Sequence, residues 1–175
     1  MEHLDSLVAN TSLTQLDSDT LFGEETRQKF LRFSIGSEDS GLLPLEQLAE
    51  VLNITSVNIL PVPEMPSCVL GISNWRGKML WLIDLDHLID YSLLQLQGQS
   101  LTVIVIQITG QSLGLVVQHV NDIELHDKAH IQPAAVDLFS PGLLPFVKGY
   151  LPSANGIVLD TAAIARCPLW QVHRG

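Results

Sequence analysis

Basic residues are scarce in this chain: nine Lys and Arg stand against 19 Asp and Glu, a formal net charge of -10. Phosphate backbones and anionic membranes repel such a surface, and no Lys/Arg cluster relieves it locally, so nucleic-acid binding is excluded as an expected role. Long apolar runs are also missing. Leu101–Ile106 is the longest after residue 85, far short of the roughly 20 residues a spanning helix needs, so no direct membrane insertion is expected. The start, MEHLDSLVAN, is acidic and lacks the basic n-region and apolar centre of a secretory signal. Cysteine is limited to Cys68 and Cys167, unclustered, which fits a reducing compartment better than a disulfide framework. These absences point to a cytoplasmic location.

What is present is apolar. Hydrophobic residues make up 46% of 175 positions and charged ones 16%, the balance of a buried globule built as one domain or as two small subdomains sharing a core. The densest stretch is VLGISNWRGKMLWLIDL, Val69–Leu85, where two apolar runs flank Asn74-Trp75-Arg76-Gly77-Lys78. Asn and Gly accept tight-turn dihedrals, and Val, Ile, Leu and Trp suit the flanking strands, so the stretch predicts a β-hairpin presenting one arginine. Asp84 then predicts the cap of a short helix whose face carries Leu85, Leu88 and Ile89.

Elsewhere, KFLRFSI at Lys29–Ile35 reads as a first strand and Gly36–Gly41 as a turn. Leu45, Leu48, Val51 and Leu52 have helical spacing after Pro44, leading into an extended segment near Glu50–Ile54. Leu101–Thr109 and Leu113–Val120 read as strands around a Gly110 turn, and Ile123–Leu125 as a continuation. Residues Met1–Gln28 read as an acidic extension that is mobile or loosely docked, with Leu4, Leu7 and Val8 fitting a short amphipathic turn. Near the other end, Gly149, a PSANG turn at Pro152–Gly156, IVLD at Ile157–Asp160 and a short helix over Thr161–Cys167 repeat the outline of the Gly71–Asp84 hairpin. Asp84 and Asp160 are 76 residues apart, too far for a solenoid unit and about right for a small barrel. Two similar small β-barrels are therefore expected.

Catalytic patterns fail on spacing. Gly71 to Gly77-Lys78 has five intervening residues where a phosphate-binding loop has four, and Met79 stands where that loop needs Ser or Thr. His126 and His130 are four apart, but Asp127 replaces the glutamate of a helical zinc motif and no further ligand is placed nearby. Asp84, Asp86 and Asp90 lack the glycine and terminal glutamate of a calcium loop. Gly110-Gln111-Ser112-Leu113-Gly114 has the letters of Gly-x-Ser-x-Gly but turns one expected strand into another, so there is no strand-to-helix nucleophile elbow, and Cys68 has no neighbouring base. No metal or other cofactor is implied.

In order along the chain, several motifs resemble the CheW-like adaptor domain of bacterial chemotaxis systems. These are FLRF at Phe30–Phe33, Leu43-Pro44, Glu50-Val51, then PEMPSCVLGISNWRGKMLWLIDL at Pro63–Leu85 with its Gly-x-x-Asn-x-Arg-Gly turn and Ile-Asp-Leu ending. Gly114–Val117 with Val120, and Gly149 with Val158-Leu159-Asp160, complete the series. Trp81 stands where the family usually has proline, and Gln118 where it usually has aspartate. The resemblance implies an all-β fold of two SH3-like five-stranded barrels with a few short helices: an extension over 1–28, a CheW-like domain over 29–168, a first barrel over about 29–92 and a second over about 100–168. It implies a non-enzymatic adaptor, without cofactor, joining the signalling tip of methyl-accepting chemoreceptors to a CheA-type histidine kinase that carries a related regulatory domain, in a flagellar or type IV pilus motility system. Glu50, Val51, Asn74, Arg76 and Gly77 match positions the family uses for protein interaction, and Gly71 and Gly149 read as structural turn residues. Asn74 also has a local reading, a side-chain bond to its own turn, and Glu50 with Arg76 a structural one, a salt bridge holding the hairpin. A different class stays open: a regulatory domain of a motility or pilus system binding a small ligand between the barrels.

Overall fold

Alternation decides where each strand's side chains go, and here both faces are apolar. Along Lys78–Asp84, Leu80 and Leu82 enter one core cluster while Trp81 and Ile83 enter another. Along Ser100–Ile108, Leu101, Val103 and Val105 join the first pair, and Ile104 and Ile106 join the second. A strand apolar on both faces must be covered twice, and each covering layer is supplied by the rest of the chain.

The computed structural model describes residues 26–89 and 100–167. In order they form β1 (Arg27–Ile35), β2 (Asp39–Pro44), β3 (Leu48–Thr55), β4 (Val69–Trp75), β5 (Lys78–Asp84) and a one-turn helix α1 (Leu85–Leu88). Then come β6 (Ser100–Ile108), β7 (Gln111–Val117), β8 (Val120–Asp127), β9 (Val147–Leu151), β10 (Gly156–Leu159) and α2 (Thr161–Ala165). One curled sheet has the order β8-β1-β2-β10-β9, the other β3-β6-β7-β5-β4. Pairing is antiparallel except for β10 with β2 and β5 with β7.

Each sheet is closed by one short bridge. After β3 the chain passes a 3-10 turn at Ser56–Asn58 and pairs Leu60 with Ile72 of β4; after β8 it passes a 3-10 turn at Lys128–His130 and pairs Gln132 with Tyr150 of β9. Closure makes two small SH3-like barrels, the all-β architecture the sequence predicts. Leu80, Leu82, Val103 and Trp75 are among those filling one barrel, Phe30, Leu42, Leu151 and Val158 the other. A third cluster, with Phe33, Leu43, Trp81, Ile83, Leu115 and Leu159 among its members, lies between them and joins strands of both sheets.

The expected repeat is real, but its unit is not the barrel. One sheet takes β1 and β2 from the first half and β8, β9 and β10 from the second; the other takes β3, β4 and β5 from the first half and β6 and β7 from the second. A boundary between residues 92 and 100 therefore does not separate the barrels: it falls between β5 and β6, which share a sheet. The expected extension over 1–28 also overreaches, because Arg27 and Gln28 pair with Asp127 and His126; residues 1–25, including Leu4, Leu7 and Val8, lie outside the described residues. The turn expected over Gly36–Gly41 ends sooner, since Asp39 already opens β2. The helical spacing after Pro44 gives only a 3-10 turn at Leu45–Gln47 before β3, which pairs along its length with β6.

Gly71 and Gly149, expected at turns, are both inside strands, where each lies beside the bridge that closes its barrel. Gly71 has φ 141° at a bulge in β4, and a Cβ there would lie 2.3 Å from the Leu60 carbonyl oxygen. A Cβ on Gly149 would meet Ile131 Cγ2 at 2.4 Å and the Gln132 carbonyl oxygen at 2.6 Å. Both are close-approach glycines.

Candidate functional site

β4 and β5 are joined by the two residues Arg76-Gly77, with Trp75 paired to Lys78. Both loop residues have positive φ, 51° and 77°, as a type I′ turn requires. Gly77 adopts this freely; Arg76 does so at a cost of about 1–2 kcal/mol, so the surroundings must hold it there. Asn74 does part of that, its Oδ1 accepting a hydrogen bond from the Gly77 amide at 2.9 Å. The local reading of Asn74 is the one seen.

Trp75 and Glu50 do the rest. The Arg76 guanidinium carbon sits 5.1 Å from the centroid of the Trp75 ring, within cation–π range. Arg76 Nη2 lies 3.2 Å from Glu50 Oε2, and the indole Nε1–H of Trp75 donates to that same oxygen at 2.8 Å. Glu50 comes from β3 and the hairpin from β4–β5, strands at opposite ends of the sheet order that barrel closure brings together. The salt bridge is a surface one: the Arg76 side chain is 66% exposed and that of Glu50 37%. Val51, next to Glu50, and Met79, on the strand leaving the turn, are apolar and exposed. Shallow depressions of about 330 and 580 Å³ flank the hairpin, one bordered by Leu60, Ile72 and Met79, the other by Glu50, Asn53 and Trp75.

The structure thus brings Glu50, Asn74, Arg76 and Gly77 into one cluster, while Val51 is exposed on the opposite face of β3 from Glu50, and Gly71 and Gly149 belong to barrel closure. Trp75 is the member that the sequence reading places in the turn without a task. Its signal is positional: a large residue one place before a two-residue I′ turn packs inward while its neighbour faces out.

Outside the hairpin, polar groups are spent on structure. Asp84 caps α1 and Asp160 caps α2, each carboxylate accepting an amide three residues on. Buried Asp86 accepts from the Gly36 amide at 3.0 Å and from Gln118 Nε2 at 2.8 Å. Gln118 thus supplies a donor to a carboxylate that an aspartate at its position would repel. His126 Nε2 contacts Glu124 at 2.7 Å, and Glu124 is also gripped by Arg32. Asp90 is outside the described residues. Among those described, no three His, Cys, Asp or Glu are grouped to hold a metal. Burial raises the Cys68 thiol to about 11, which removes the thiolate a nucleophile needs.

Fold and site define a class: a double-barrel all-β module that carries a charged hairpin cluster at its surface. Its family follows from comparison. The CheW-like domain model matches residues 29–167, and the chain belongs to that family. The crystal structure of the scaffolding protein TtCheW from Thermoanaerobacter tengcongensis is similar, with 27% sequence identity and a TM-score of 0.65 over 75% of this chain and 88% of that one. The chain is accordingly of the chemotaxis-type adaptor kind. No helix among the described residues is long and apolar enough to cross a membrane.

Proposed function

We propose that this chain is a cytoplasmic, non-catalytic adaptor that couples the signalling tip of methyl-accepting chemoreceptors to a CheA-type histidine kinase in a motility array. The observation that supports this reading is the hairpin cluster. Arg76 and Glu50 form an ion pair at the barrel surface, Arg76 mostly exposed and Glu50 partly so, with exposed Met79 on the strand leaving the turn. An arginine fork with apolar neighbours is the composition of an interface hot spot. The charged heads of Arg76 and Glu50 lie at the surface, so the pair serves binding more than folding.

Titration of a purified CheA-type kinase against single variants tests this. Arg76→Ala should weaken binding by roughly 1–3 kcal/mol, a five- to hundredfold loss. Its unfolding stability should change by about 1 kcal/mol or less, as for an exposed pair. Arg76→Lys should restore only part of the affinity, because charge alone does not replace the fork. Unchanged kinase affinity in Arg76→Ala, or a stability loss larger than the binding loss, overturns the assignment.

A further inference from the structure

Trp75 belongs to both the barrel core and the hairpin cluster. It is 6% exposed and packs in the cluster with Leu80, Leu82 and Val103. Its indole N–H, at the polar end of the ring, reaches Glu50 Oε2, while Arg76 lies over its face. Core packing alone does not call for that N–H, since a phenyl ring also fills an apolar site. Here the N–H has a defined effect. The carboxylate oxygen that pairs Arg76 is the same one the indole holds. A rigid ring locked in the core thus fixes a flexible glutamate, and ring and glutamate together restrict an arginine that is otherwise free in solvent.

A site held this way in the free protein loses less side-chain freedom on binding, and it offers its charges in one orientation. Resting on the adaptor reading above, we propose that Trp75 is the positioning residue of the hairpin site, acting through Glu50 to aim the Arg76 fork at an acidic side chain of the partner. It touches no partner itself in this scheme. Its substitution therefore changes affinity only while Glu50 is present.

The test uses the full-length chain carrying Trp75→Phe, Glu50→Ala or both, titrated with a purified CheA-type kinase, with urea melts of each variant. Trp75→Phe keeps the ring beneath Arg76 and removes only the N–H. It should weaken binding roughly three- to tenfold, the worth of one hydrogen bond. In the Glu50→Ala background the same change should alter affinity less than twofold. Equal losses in the two backgrounds, or no loss in either, overturn the proposal. A second readout does not depend on the kinase: the Nη2–H signal of Arg76 in labelled protein, whose nitrogen is the one facing Glu50 Oε2. It should be resolved and slow to exchange in the native chain, and should broaden and exchange faster in Trp75→Phe and Glu50→Ala alike. If the native chain fails to bind the kinase yet this pattern holds, the adaptor reading falls and the positioning role stands. If the resonance is unaffected by Trp75→Phe, the positioning role falls.

Discussion

Glu124 shows how a single residue can make the less apolar barrel depend on pH. The Arg32 fork grips its carboxylate and also donates to the Ala154 carbonyl at 2.7 Å, tying β8, β1 and the turn before β10 together. The Arg32 hydrogen bond lowers the Glu124 pKa below its ordinary 4.5, burial opposes the shift, and the His126 hydrogen bond adds to it. A carboxylate with a depressed folded pKa contributes stability that is complete above its unfolded value and is lost as pH falls through the folded one. Arg32→Met should therefore flatten the acid arm of the stability profile, read as urea midpoints from neutral pH downward. Asp127, lowered chiefly by the Ala129 amide, titrates with the same sign and remains in the variant as an internal control. Parallel acid arms for the two proteins would show that Arg32 is not the cause. At this scale the sequence was partly readable. Glu50 and Arg76 are recognisable as a pair because a motif places both. The partners of Trp75, Gln118 and Arg32 are not, since each is reached across strands whose register no local pattern states.

Single elements are where glycine and spacing misled. Gly71 and Gly149 are legible as structural, but their partners, Leu60 and Gln132, approach from 11 and 17 residues upstream by a bridge that leaves no sequence signature. Gly71→Ala should be the more damaging change, because it combines a positive φ with a backbone atom in the way. A loss of roughly 1–3 kcal/mol is expected, with faster amide exchange at Leu60 and Ile72. Stability within a few tenths of a kcal/mol of the native chain would mean that β4 can shift without opening the barrel. The helical spacing of Leu45, Leu48 and Leu52 is overridden for a related reason. Seven β3 residues find register partners on β6, and tertiary pairing outweighs a weak local preference.

For the whole molecule, the cluster between the barrels is the largest apolar mass. Among the described residues it holds 21 buried members against eight and four inside the barrels. With strands exchanged between halves as well, the β8-β1-β2-β10-β9 barrel is assembled from two separate stretches of chain, and both sheets contribute to this shared cluster. Unfolding should be one cooperative transition, with calorimetric and van't Hoff enthalpies equal. Two separated transitions in calorimetry, or amide exchange in β1 much faster than in β6 under native conditions, would show the barrels to be independent. The repeat that predicts two barrels is visible because Gly, hairpin, Asp and helix recur in order. The exchange is invisible because swapped and unswapped arrangements bury the same residues on the same faces.

That exchange also sets an order of assembly during synthesis. The barrel of β3–β7 has all its strands once Val117 has left the ribosome. The other barrel begins with the first strands made, β1 and β2, yet needs β10, which ends at Leu159, to line up beside β2. The growing chain must carry an apolar hairpin, with Phe30 and Leu42 uncovered on the barrel side, for more than 100 residues of elongation. At about 5–20 residues per second, that exposure lasts several seconds or more. A hairpin made before the other described strands is thus enclosed only near the end, and chaperone contact with the nascent chain should concentrate there.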